Sequence, residues 1–371
     1  MRLLQITASN VWRGHEQQII YYYEAFDSKI EHQVLICPSE TKLSEIATKK
    51  NFNVHSIPLK SEYSFSWITK IKQVIKDEKI DLVLIHSSRA HTLCVIASIL
   101  SHKKVPLVFF RTLIKDISKK PLSKWKYNYK HLVKLICVSQ AVIDVLKPSI
   151  KDHSRFSIVG SATDLDDFKN FTKTYKLHNE LGLSHETQLI ANISAFVQFK
   201  DHFTFVKTVK ILKEKLPHTK FLLIGTGKME NEIKAFVNTL ELQNDIFFLG
   251  FRNDIPEIFP DFDLFLFTSK LEPTGGVLLE AYASHVPIVA TNAAGIPEVV
   301  VNNKTGILCE KENPEAFANA VLKVLNDKNL KNSLVKNGYE HLKQNFTKQV
   351  ITEKMLNELL KIYENHIILN N

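Results

Sequence analysis

The sequence predicts an α/β protein built from two doubly wound parallel sheets, one in each half of the chain. Three observations carry that expectation. Short apolar runs alternate with helical patterns through most of the 371 residues, as parallel strands with crossover helices require. The length suits two domains, and a hydrophobic content of 44% suits sizeable cores. A glycine-bearing loop near residue 275 runs straight into a helical pattern, the kind of turn at which such folds hold ligands.

Taken in order, the strands expected in the first half are RLLQIT, HQVLIC, NVHSI, DLVLIH, PLVFF, KLICV and FSIV, with helical patterns such as EQQIIYYYEAF and SWITKIKQVIKDE between them. In the second half they are QLIANIS, KFLLIG, DIFFLG, DLFLF and PIVAT, with helices at about 201–215, 229–240, 276–284 and 314–326. Residues 160–185 are polar, include the poorly patterned KNFTKTYKLHNELG, and read as a linker. A terminal helix is expected at about 348–366. There is no internal repeat and no low-complexity region. Open α/β sheets bind ligands at the carboxyl ends of their strands, so two such domains facing each other place the active site in the cleft between them.

No apolar run approaches the ~18 residues of a membrane span. MRLLQITASNVW reads as a buried first strand rather than a signal peptide. Cys37, Cys94, Cys137 and Cys309 have no metal-type spacing and sit in apolar segments, which points to core thiols in a reducing compartment, the cytoplasm being the simplest. Charge is uneven. Residues 1–165 hold 25 Lys+Arg against 14 Asp+Glu, a net of +11, and the remainder holds 23 against 25, a net of −2. The basic half suits an anionic partner, either nucleic acid or a membrane surface carrying a lipid-linked acceptor.

The most informative stretch is SKLEPTGGVLLEAYASHVPIVATNAAGIPEVV. Pro273, Gly275 and Gly276 break structure, and VLLEAYAS then continues as a helix. Free N–H groups at such a start, with the helix dipole, favour a phosphate. Glu272 in the loop and Glu280 in the helix flank that position, so the ligand is anionic in its middle and rich in hydroxyls at both ends, as a nucleotide-sugar is. Taken alone, the Gly pair is equally a tight turn. The whole string resembles the donor-site signature of the retaining glycosyltransferases of family 4, which have the GT-B fold of two Rossmann-like domains facing each other across a cleft. The matching pieces are Glu272, Glu280, PIVAT at 287–291, and Gly295, Pro297 and Glu298. The resemblance covers roughly 1–345, and its strong motifs lie in 186–300. It implies that Glu280 holds the ribose, that Glu272 holds sugar hydroxyls, and that Gly275 and Gly276, with Thr274, meet the donor diphosphate.

Lys200 follows the strand QLIANIS and opens the helix KDHFTFVKTVKIL, placed to neutralise a diphosphate or simply to be solvated at a helix start. The resemblance implies the former. The family's usual Arg five residues earlier is Ala195 here, leaving Lys228 or Arg252 as substitute cations. In ASNVWRGHEQQ, Gly14 reads as a close-approach turn or a helix cap, flanked by Arg13 and His15, which face the acceptor. His86 ends DLVLIH and either donates to a substrate hydroxyl or is a satisfied buried His. DLVLIHSSRAH resembles a family stretch in which this His contacts the donor sugar near the reacting carbon, with Arg89 and His91 in support. Residues 111–134 hold eight Lys/Arg, from Arg111 to Lys134, with Trp125, Tyr127 and Tyr129 interleaved. They read as a membrane-interface patch, an acceptor surface, a single-strand nucleic-acid site or a solvated amphipathic helix. Two D-x-D pairs, Asp164/Asp166 and Asp261/Asp263, have no further ligands nearby and are assigned no metal, with one acid of the second facing out.

The expectation is therefore a retaining GT-B glycosyltransferase. Residues 1–165 form an acceptor-binding domain, 166–347 a donor-binding domain, and 348–371 a helix returning to the first. It moves a sugar from a nucleotide-sugar to a hydroxyl of a glycan or lipid-linked glycan in cell-surface polysaccharide synthesis, without metal or cofactor and without nucleic acid. The catalytic residues are His86, Lys200 and Glu272, and Arg13, His15, Arg89 and Arg111 hold the acceptor. It is cytoplasmic, peripheral on the inner face of the membrane through 111–134. The rivals are a non-catalytic two-domain sugar-binding protein and a nucleotide-sugar epimerase of the same fold.

Overall fold

The structure, a computed structural model, describes residues 1–59, 64–169 and 171–370. It divides into two units, Met1–Ala162 with Lys348–Asn371, and Thr163–Thr347.

In the first unit the strands are β1 (Arg2–Ile6), β2 (His32–Pro38), β3 (Val54–Ile57), β4 (Leu82–Ile85), β5 (Leu107–Arg111), β6 (Leu132–Cys137) and β7 (Phe156–Ile158). They form one parallel sheet in the order β3-β2-β1-β4-β5-β6-β7. Continuous apolar runs, buried on both faces, produce it: Leu3, Leu4, Ile6, Val34, Leu35, Val83 and Leu84 are all sealed from solvent. The order reverses between β1 and β4, so the loops after those two strands diverge and leave a crevice at their carboxyl ends. The helix Lys348–Asn370 belongs to this unit and packs on the helix Gly14–Phe26, where Lys348 bonds Glu24 at 2.8 Å and lies over the ring of Tyr21.

In the second unit β8 (Gln188–Ile193), β9 (Thr219–Ile224), β10 (Ile246–Gly250), β11 (Leu264–Phe267), β12 (Ile288–Thr291) and β13 (Ile307–Cys309) form a parallel sheet ordered β10-β9-β8-β11-β12-β13. Its reversal lies between β8 and β11. The chain passes between the units at 162/163 and again at 347/348. These two passages lie side by side, with Thr163 N–H donating to the Phe346 carbonyl at 3.0 Å.

Two expectations need correction. The 160–185 segment is not a free linker. It carries the short helix Lys176–Leu181 and is clamped to its unit by Asp261, whose carboxylate accepts from the N–H groups of Thr174 and Tyr175 at 2.8 Å and of Leu177 at 2.9 Å. Asn170, inside that segment, lies outside the described residues. Asp263 is also buried, accepting from Leu189 N–H at 3.0 Å and Lys173 Nζ at 2.7 Å. Neither acid of that D-x-D faces out: both anchor chain segments. The four cysteines are free and buried.

Candidate active site

In the second unit the site grows from the loops after β8 and β11, the two strands at the sheet reversal. Three glycines let backbone meet backbone here. Gly225, after β9, has φ +139°, and a Cβ on it would lie 2.0 Å from the Ser194 carbonyl oxygen. A Cβ on Gly227 would lie 2.3 Å from the Phe196 oxygen, and one on Gly295 would lie 1.8 Å from the Pro273 oxygen. The loops after β9 and β12 therefore press against those after β8 and β11. Hydrogen bonds lock the contacts: Met229 N–H to the Phe196 carbonyl at 3.1 Å, Lys270 N–H to Phe199 at 2.8 Å, and Gly295 N–H to Glu272 at 2.8 Å. Gly275 needs its left-handed φ of +73°, whereas Gly276 opens the helix Gly276–Ala283 and faces open space. Its amide end is thus uncovered where an anion is favoured.

Lys200 sits at the end of a 3-10 turn rather than in the helix, which starts at His202 and is capped by Asp201. The Lys200 ammonium pairs with the Glu272 carboxylate, both largely shielded, and lies over the Phe267 ring at 5.3 Å. The fold thus brings Lys200 and Glu272 together. Glu280, half-buried on the helix, has its carboxyl pushed up to about 7, by burial first and by the charge of Asp167 second. Of the substitute cations for Ala195, Arg252 is excluded. Its guanidinium grips Glu180 at 2.6 and 3.0 Å and Asp254 at 2.8 and 2.7 Å. Lys228 is exposed on the turn whose Gly227 lies against Phe196, one residue from Ala195.

In the first unit the crevice between β1 and β4 is lined by His15 and His86. Among the candidate acceptor residues, Arg13 caps the helix Gly14–Phe26, its N–H bonding Glu16 at 3.0 Å, and Arg89 lies half-buried in the first turn after β4. Gly14 meets nothing within 4 Å of an added Cβ, so its bareness opens space instead of relieving a clash within the protein. The ring of His15 bonds the backbone carbonyl of His86. His86 is buried, and its Nε2 meets the Gln5 side-chain oxygen at 3.0 Å. Gln5 donates in turn to Gln33 at 3.4 Å, and Gln33 donates to the Tyr23 carbonyl at 2.8 Å. That chain makes His86 Nε2 the protonated nitrogen and leaves Nδ1 as an acceptor. Burial first, and His15 second, hold the pKa of His86 well below the usual value, so the ring is neutral. With Nε2 engaged by Gln5, that nitrogen is not free to donate to a substrate hydroxyl as expected, and Nδ1 is buried without a partner.

The basic segment 111–134 is not one surface element. Arg111 ends β5 and is 2% exposed, Tyr127 is buried, and Lys126 bonds the Ser88 carbonyl and Thr92 hydroxyl at 3.2 and 2.7 Å. Lys115, Lys119, Lys120, Lys124 and Lys130 remain outward, with Leu113, Leu122 and Trp125 exposed among them. The sequence motif Gly225-Thr226-Gly227, passed over above, is the glycine pair that lets the loop after β9 press on the loop after β8.

Residues 173–341 match the family described as Glycosyl transferases group 1, and residues 12–167 match Glycosyltransferase Family 4. The chain is 28% identical over 297 residues to an Escherichia coli UDP-Gal:alpha-D-GlcNAc-diphosphoundecaprenol alpha-1,3-galactosyltransferase, covering 75% of this chain and 76% of that one. It is 26% identical over 319 residues to the N-acetyl-alpha-D-glucosaminyl L-malate synthase of Bacillus anthracis, covering 84% and 81%. Among solved structures it resembles Anabaena Alr3699/HepE in complex with UDP and glucose, at 20% identity and a TM-score of 0.83 over 97% of this chain and 100% of that one, a likeness of fold.

Proposed function

The chain belongs to the GT-B glycosyltransferases, with a family 4 domain followed by a group 1 domain, and from that premise we propose that it moves a sugar from a nucleotide-sugar to a hydroxyl of a glycan or lipid-linked glycan, with retention, in cell-surface polysaccharide synthesis. The observation that carries the donor half is the group of Lys200, Glu272, Gly275, Gly276 and Glu280 around one uncovered helix start. Relatives include a capsular polysaccharide biosynthesis glycosyltransferase of Staphylococcus aureus and a lipopolysaccharide core biosynthesis glycosyltransferase of Rhizobium meliloti, which supports the acceptor class.

In this reading the donor diphosphate meets the Gly275 and Gly276 amides and the Thr274 side, while Glu280 accepts from the ribose. Lys200 exchanges its partner. Without ligand it pairs with Glu272, and with donor bound it turns to the leaving diphosphate, freeing Glu272 to accept from sugar hydroxyls. Lys228 supplies the second cation that Ala195 lacks. His86 Nδ1 accepts from the donor sugar, and His15, Arg13, Arg89 and Arg111 meet the acceptor. No carboxylate is assigned as covalent nucleophile. The acceptor hydroxyl attacks from the leaving-group face, and the departing diphosphate takes its proton. Lys200 and the amides carry the leaving charge, so the reading uses no metal and no cofactor.

No helix among the described residues is long and apolar enough to cross a membrane. We place the protein in the cytoplasm, docked on anionic membrane through Lys115, Lys119, Lys120, Lys124 and Lys130 with Leu122 and Trp125 at their centre, at about 1 kcal/mol per Lys/Arg near the surface. Sedimentation with vesicles checks this, and equal pelleting on neutral and anionic lipid rejects it. The reaction itself is tested by thermal shift against a panel of nucleotide-sugars, since a ligand of the folded state raises its stability. A sugar-binding protein ignores UDP and GDP, and an epimerase converts donor without acceptor.

A further inference from the structure

Arg111 has no carboxylate partner among the described residues, although it is 2% exposed. One terminal nitrogen donates to the Ser88 hydroxyl at 2.7 Å, and its Nε–H is buried without any partner. A buried charge with an orphaned donor is costly, and native structures keep such groups where a ligand supplies the missing acceptor. Arg111 is the last residue of β5, at the end of the sheet where ligands bind. Among the described residues its surroundings add donors and no carboxylate. Lys126 Nζ reaches the Ser88 carbonyl and the Thr92 hydroxyl of the same helical turn. The Ser139 hydroxyl, just past β6, is buried and unpartnered, and Val138 between them bonds the Arg111 carbonyl at 3.0 Å. Among the described residues, His91, Tyr127 and Cys137 feel the charge of Arg111, and all three are held in their neutral forms. Ser88, Thr92 and Lys126 are half-buried, so the cluster opens outward past them while Arg111 forms its buried end.

We propose that Arg111, Lys126, Ser88 and Ser139 form a subsite for a compact oxyanion, a phosphate or a carboxylate, borne by the acceptor. This rests on the glycosyltransferase reading above and narrows it: the hydroxyl that receives the sugar belongs to a molecule with an anionic group close by. Two donors in a planar fork suit an oxyanion with two oxygens to offer, and the flanking hydroxyls complete its shell.

The test is calorimetric titration of the protein, first saturated with UDP so that the donor site is occupied, with inorganic phosphate in one arm and malonate in the other, at constant ionic strength. The expected result is saturable binding of at least one, weakened tenfold or more in Arg111→Gln and in Lys126→Gln, with UDP affinity unchanged in both. The arm that binds identifies the acceptor's group as phosphate or carboxylate. Equal affinity in wild type and variants, or no binding of either anion at tens of millimolar, overturns the proposal. If Arg111→Gln does not fold, Lys126→Gln carries the comparison alone. Failure of UDP itself to bind sinks the donor-site reading and is seen before any anion is added.

Discussion

At the carboxyl edge of the second unit's sheet two of the charged groups, Lys200 and Glu272, are already paired with each other, and glycine contacts bolt the loops together. At the same edge of the first unit, Thr7, His15, His86, Arg111 and Ser139 each keep a buried polar atom without a partner. In the proposed reading the two edges meet ligand by different routes. The donor edge exchanges an internal ion pair for a diphosphate, so its gain is the difference between two strong interactions. The acceptor edge holds unsatisfied groups whose cost a ligand removes. Rigidity therefore belongs to the donor side, and latent hydrogen-bonding capacity to the acceptor side.

The largest effect expected is on the exchanged pair. Lys200→Ala loses a charge-assisted contact of about 1.5–3 kcal/mol, which lowers turnover by roughly ten- to a hundredfold. Steady-state kinetics decide it, and survival of activity within about threefold means that another cation, Lys228 first, holds the leaving group. Arg252→Ala, by contrast, breaks contacts to Glu180 and Asp254 and should lower thermal stability without touching nucleotide affinity.

Glu280→Ala comes next. Loss of an accepted hydrogen bond from ribose weakens calorimetric nucleotide affinity by about 1.5–3 kcal/mol. Unchanged affinity rejects the assignment.

The glycines test rigidity directly. Gly295→Ala drives a methyl into the Pro273 carbonyl, and overpacking of this kind costs about 1–3 kcal/mol. Gly14→Ala meets open space and should leave folding stability within about 0.5 kcal/mol of wild type, while reducing acceptor turnover. Equal destabilisation by both would erase the contrast between the edges.

The smallest effect is with pH. The Glu280 carboxyl is raised from 4.5 to about 7 in the folded state, so its contribution to folding is present below the unfolded value and lost as pH rises through 7. Nucleotide binding has the opposite sign, because the ionised carboxylate is the better acceptor. Affinity for UDP should rise several-fold from pH 6 to pH 8, and Glu280→Gln should flatten much of that rise. His15 and His86 are held below their usual value, by burial first. A rise of the same size in Glu280→Gln assigns the dependence to the nucleotide's own phosphate.

The sheet strands were legible because parallel strands buried on both faces read as unbroken apolar runs. The helix at 276–283 was legible from its glycine start. Lys328–Asn345 was not, since only Leu334, Gly338 and Leu342 are buried along eighteen residues, a stripe too narrow to show as periodicity. Strand β13 was missed because three residues carry no pattern. The 160–185 segment looked like a linker because its order comes from a carboxylate some 85 residues away, Asp261, and no local signal announces such a clamp. In the site, residue types and spacing exposed Glu272, Glu280 and Lys200. The tautomer of His86 needed three dimensions, since it is written in Gln5 and Gln33 on neighbouring strands.

The side-by-side passages at 162/163 and 347/348 set an order of assembly. On the ribosome, every strand and helix of residues 163–347 emerges before the helix Lys348–Asn370 exists. The second unit thus has its full complement first, while the unit begun at Met1 waits with the flank of Gly14–Phe26 bare until that helix arrives. The earlier-started unit is the later-finished one, and during synthesis its exposed flank is the surface a chaperone would meet.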